Sequence, residues 1–126
     1  MPPSAFQYAI VRIVPQIERG ECVNAGVVLF CRSLGFLAAR IELDEARVRA
    51  LAPEVDLDSV RSHVDALARI AAGAPAAGPI AALPASERFH WLVAPASTVI
   101  QCSPVHTGLS VDPARELQRL VERLVR

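Results

Sequence analysis

The chain has 126 residues, with thirteen basic side chains balanced by thirteen acidic ones, a length that suits one domain with a real core. Its composition, 52% hydrophobic and 21% charged, excludes a disordered chain. The zero net charge argues against nucleic-acid and membrane-surface binding, which usually come with a positive excess, and the all-arginine basic set reflects genome composition bias more than function.

Residues 6–14, FQYAIVRIV, are rich in β-branched residues without helical spacing. They predict a first strand with Tyr8, Ile10, Arg12 and Val14 on one face. PQIERGE follows as a loop, in which Pro15 ends the strand and Gly20 can supply a positive φ. CVNAGVVLFC, residues 22–31, is the second strand, and FLAARIEL, residues 36–43, the third. A turn at Ser33-Leu34-Gly35 joins them as an antiparallel hairpin. Asp44 predicts the N-cap of a short helix ending before Pro53, and Asp56 the cap of a longer one stopped by Gly73. In the longer helix Val60, Val64, Leu67 and Ala71 follow the helical period, with His63 half-buried among them. Arg61, Asp65 and Arg69 form an outer ladder.

Residues 72–86 contain GAPAAGPIAALPAS, an internal Ala/Pro/Gly loop laid across the domain. Residues 88–94 fit either a short helix capped by Ser86 or a strand. STVIQCS, residues 97–103, alternates as a strand, with the polar stretch up to Gly108 following it. Asp112 and Pro113 open a terminal helix whose stripe is Leu117, Leu120, Val121, Leu124 and Val125. The expected fold is a single α+β domain over residues 1–126. Its largely antiparallel sheet of about four strands is covered on one face by three or four helices.

No leader is visible ahead of the Arg12-containing apolar stretch, and the uncharged run from Trp91 to Val111 is broken by Pro95, Pro104, Gln101 and His106. The expectation is therefore a cytoplasmic protein without a membrane span. Cys22, Cys31 and Cys102 have no framework spacing, which agrees with a reducing compartment. A zinc site built from Cys22, Cys31, Cys102 and His106 is opposed by the nine positions between the first two thiols, about 30 Å at roughly 3.3 Å each. No nucleophile elbow, P-loop, dinucleotide fingerprint or paired-histidine helix occurs, so no metal and no cofactor are expected.

Two stretches stand out as candidate binding sites. The first holds Arg12, Arg19, Glu21, Asn24 and Gly26, where alternation puts Asn24 and Gly26 on one strand face as a shallow notch. The second is IQCSPVHTG, with Gln101 and His106 near a strand end. One reading is binding, and the other is a hydrogen-bond network in which Asn24 or Glu21 satisfies loop backbone and Gly26 admits a crossing group. The arginines 115, 119 and 123 make a stripe on the terminal helix, either a solvated face or a docking face.

The pairing of YAIVRIVPQIERGECVNAGVVLF with STVIQCSPVHTGLSVDPARELQRLVERLV resembles the bacterial domain-of-unknown-function family 3037. The hallmark positions here are Arg19, Gly20, Glu21, Asn24, Gly26 and Val27. Members are often encoded beside a HipA-like kinase, so the resemblance implies a protein partner. The leading expectation is a non-catalytic accessory domain, with a small enzyme using Arg12, Glu21, Asn24 and His106 as the alternative and nucleic-acid binding third.

Overall fold

Seven consecutive residues, Ala25 to Cys31, are all buried, and the architecture is arranged around them. They belong to β2 (Val23–Cys31) in a computed structural model that describes residues 2–96 and 98–126. Among the described residues the other strands are β1 (Ser4–Ile13), β3 (Phe36–Ile41), β4 (Ile100–Cys102) and β5 (His106–Ser110). The α-helices are α1 (Glu45–Leu51), α2 (Leu57–Ala72), α3 (Ala85–Val93) and α4 (Pro113–Leu124). None of them is long and apolar enough to cross a membrane.

The fold is α+β, and every strand pairing is antiparallel. The sheet runs β3-β2-β1-β4, with β5 also on β1. The ten-residue β1 is therefore central, and β4 and β5 share its second edge. Asp44, Asp56 and Asp112 cap α1, α2 and α4 by accepting from the backbone N–H three residues on, and Gly73 ends α2 with φ 70°. These local signals needed no tertiary help.

Five expectations are corrected. The helices cover both faces, not one. Val11, Ile13, Ala25, Val28 and Phe30 pack against α1, α2 and α3, while Phe6, Val27, Leu29 and Cys31 pack under Leu117, Leu120 and Val121 of α4. The run VVLFC has no polar face, so each side of it needs a cover. Second, there are five strands: of the edge strand read over 97–103 only Ile100–Cys102 forms, as β4, and a further strand, β5, forms at His106–Ser110 in the polar stretch beyond it; Ser97 itself lies outside the described residues. Third, the 72–86 loop holds two short 3₁₀ turns, Pro75–Ala77 and Pro79–Ala82, which bury Ala81. Residues 88–93 are helical, and Phe89 stacks on Phe30 with ring centroids 5.2 Å apart. His63 is exposed rather than half-buried. Of the outer ladder only Asp65–Arg69 forms, at 2.9 Å. Arg61 turns instead to Asp58 and makes a two-pronged pair with Glu45 of α1, at 2.6 and 2.7 Å.

The split edge is repaired by one side chain. Pro104 has no N–H to donate, and the strand cannot run straight through it. Ser103, only 2% exposed, closes the gap. Its N–H donates to the Ile10 carbonyl at 2.8 Å, its Oγ accepts the Ile10 N–H at 2.8 Å, and the same hydroxyl donates to the Pro104 carbonyl. Ser103→Ala would leave the buried Ile10 N–H without an acceptor, a loss of about 1–3 kcal/mol. Urea melts should show that loss without a change in slope, and unchanged stability would contradict the assignment.

Candidate functional site

Strand pairing brings three of the sequence-marked residues into a row. Arg12 on β1 lies between Asn24 on β2 and Gln101 on β4. The β1–β2 register shifts at this point: Val11 pairs with Gly26 and Arg12 with Asn24, which leaves Ala25 as the extra residue of a bulge. A bulge resets the alternation. Asn24 and Gly26 therefore do not share a face, and the notch expected from strict alternation does not form.

Each of the two residues meets a different part of the same chain. Asn24 Nδ2 donates to the Leu124 carbonyl at 3.0 Å. The last carbonyls of a helix have no intrahelical donor, and Asn24 supplies one to α4. Arg47 Nη1 supplies the next, donating to the Val125 carbonyl at 2.9 Å. Arg126 then clasps Glu42 through Nε and Nη2, at 2.8 and 2.7 Å. At Gly26 a Cβ would stand 2.5 Å from the Arg40 carbonyl oxygen and 2.7 Å from Ile41 Cδ1. Glycine is required there because β3 comes too close for any side chain. Of the two readings open in the sequence, the network is the one built here for Asn24 and Gly26.

The remaining candidates stand apart. Arg19 and Glu21 pair with each other on an exposed turn, with Gly20 between them at φ 72°. The Arg19 hydrogen bond, helped by its charge, holds the Glu21 carboxyl below the ordinary carboxylate range. His106 pairs with Tyr8, its ring 5.3 Å from the tyrosine ring. Tyr8 and Arg12 are four positions apart on β1, about 13 Å at roughly 3.3 Å per residue. Arg12, Glu21, Asn24 and His106 thus do not converge on one point. Gln101 Nε2 donates to the Thr98 carbonyl, and Arg12 Nε is buried without a partner among the described residues.

The thiols are equally dispersed. Cys22 is exposed, Cys31 lies under α4, and Cys102 packs on the opposite face, donating to the Leu92 carbonyl. Burial pushes the Cys102 thiol up to about 11, against a smaller pull from Arg12, so it is not a thiolate at neutral pH. Sequence reasoning missed Ser103, Arg47 and Glu42, because their partners are backbone carbonyls or residues far along the chain. It also passed over an apolar groove of about 410 Å³ between α2 and α3, lined by His63, Leu67, Ile70, Trp91, Leu92 and Pro95 among others. Trp91, the chain's one tryptophan, is 52% exposed beside it.

What fold and site define together is a small α+β domain with an antiparallel sheet covered on both faces and a helix end locked to a bulged strand. The family model described as "Protein of unknown function (DUF3037)" matches residues 8–125, and the chain belongs to that family. No curated protein and no solved structure matches it significantly.

Two tests follow from the lock. Asn24→Ala should cost about 1 kcal/mol through the lost bond to the Leu124 carbonyl, and Gly26→Ala about 1–3 kcal/mol, since β3 must shift. Denaturant melts of both variants check this, and a neutral Gly26→Ala would contradict the close approach. The second concerns pH. The hydrogen bond from Arg126 holds the Glu42 carboxyl below its ordinary 4.5. Its contribution is present above 4.5 and lost as pH falls through the lower folded value. The melting-temperature gap between wild type and Glu42→Gln should therefore exist at neutral pH and close in acid. A gap that persists at the acid end would contradict the pairing.

Proposed function

We propose that this chain is a cytoplasmic, non-catalytic accessory domain that works by docking another protein, and that the partner is a HipA-like kinase, as the family resemblance implies. The observation that supports docking is the half-exposed Trp91 standing beside the apolar groove between α2 and α3. A large aromatic side chain left in water at the rim of an apolar recess is the arrangement found at the energetic centres of protein interfaces, which are rich in tryptophan and poor in charge. The groove's lining is apolar apart from His63 and Thr98. The enzyme alternative would need Arg12, Glu21, Asn24 and His106 to act on one substrate atom, whereas His106 pairs with Tyr8, four positions along β1 from Arg12, and Glu21 is engaged by Arg19 on an exposed turn.

The single tryptophan makes the test direct. The protein is prepared with 5-fluorotryptophan and titrated with the purified HipA-like kinase encoded nearest to it. The one fluorine resonance should shift or broaden on binding. Trp91→Ala should weaken the complex about thirtyfold, as expected for an interface hot spot. A resonance that does not respond to saturating kinase would contradict the proposal, as would full-strength binding by Trp91→Ala.

A further inference from the structure

The two most exposed large apolar side chains lie together at the β5 end of the sheet. Leu109 is 67% exposed and Val111 60%. The backbone beside them is also unpaired, as the direction of β1's hydrogen bonds shows. Ile10 turns both its N–H and its carbonyl toward the edge shared by β4 and β5, since both bond to Ser103. Backbone direction alternates along an antiparallel strand, so Tyr8, Phe6 and Ser4 face the same edge. Their register partners are His106, Gly108 and Ser110. Those three aim their backbone groups at β1, and Thr107 and Leu109 aim theirs outward. Among the described residues no strand meets them.

Soluble proteins usually blunt such an edge with a charge, a proline or a bulge. The opposite edge, β3, carries the exposed Arg40 and is packed by α2 and α4. Nothing comparable protects β5. From Val105 to Val111 there is no Asp, Glu, Lys or Arg and no proline. Gly108 keeps the strand pressed onto β1, because the Phe6 ring fills the space its Cβ would take, 2.5 Å from Phe6 Cζ. The strand is held flat and firm with its outer side open.

We propose that this edge pairs with the same edge of a second copy of the chain, β5 against β5 and antiparallel about a twofold axis at Leu109. A twofold contact must be complementary to itself, and this one is. It sets Leu109 against Leu109 of the second copy and Thr107 across from Val111, with the outward N–H and carbonyl of each Leu109 bonded to the other. Centring the axis on Gly108 instead would oppose Leu109 to Thr107 and Val111 to Val105, separating the two most exposed apolar side chains, the Leu109 pair, from each other. With no charged side chain on the strand, no like charges are opposed. The two five-stranded sheets become one continuous sheet. An edge contact of this kind lies at the small end of specific interfaces, so the dimer is reversible and dissociates on dilution.

Sedimentation velocity over a wide concentration range tests it, using wild type, Thr107→Pro and Leu109→Arg. Thr107→Pro removes an N–H that the single chain does not use, and Leu109→Arg places like charges across the axis; melting temperatures confirm that each variant is folded. Wild type should pass from monomer to dimer with concentration, and the folded variants should stay monomeric throughout. Should one variant fail to fold, the other decides. A wild type that stays monomeric at every concentration would overturn the proposal. So would folded variants that dimerise like wild type, or wild-type species larger than a dimer.

Discussion

β2 is buried on both faces, and a strand in that position dictates what must surround it. Val28 and Phe30 look toward α2 and α3, while Val27, Leu29 and Cys31 look toward α4. Removing either layer would expose a row of large apolar side chains, each worth about 1.5–3 kcal/mol when buried. The first layer is made by α1, α2 and α3 together. The second rests on α4 alone, a twelve-residue helix too short to be stable in water without packing. Sheet and helix therefore depend on each other.

That dependence gives the ties at the far end of α4 their meaning. Apolar contact along Leu117, Leu120 and Val121 holds the helix to the sheet but leaves it free to slide. Asn24, Arg47 and Glu42 fix its end through directional bonds to Leu124, Val125 and Arg126. The bulge at Ala25 is what turns Asn24 toward α4 instead of toward the three-helix layer. Next to it, Gly26 lets β3 approach closely in an unbroken register. An amide and a glycine two positions apart are thus one device, which bends the strand, admits its neighbour and receives the helix.

The sequence was legible where chemistry is local. Asp44, Asp56, Asp112, Pro113 and Gly73 marked helix ends because caps involve residues three or four apart, the valine- and isoleucine-rich runs marked β1 and β2, and the turn at Ser33-Leu34-Gly35 marked β3. It was less legible where a contact joins distant segments. The bulge depends on how β1 and β2 align, and the Asn24–Leu124 bond spans one hundred positions. Nothing near Ser103 says that its hydroxyl must stand in for a missing strand bond. The second covered face could have been inferred, since VVLFC offers no polar side to water. The candidate site divides in the same way: Arg12, Asn24 and Gln101 are brought side by side by register, Glu21 is taken up by Arg19 on the turn before β2, and His106 is carried along β1 to Tyr8.

The central claim is that α4 and β2 form one cooperative unit. Native-state hydrogen exchange, followed amide by amide at rising sub-denaturing urea, tests it most directly. Protected amides of Leu120 and Val121 should exchange through the same opening as those of Val27 and Leu29, with matching free energies and matching urea dependence. If α4 instead exchanges through a separate opening of lower energy while the β2 amides remain protected, the second face does not depend on the helix and the account is wrong.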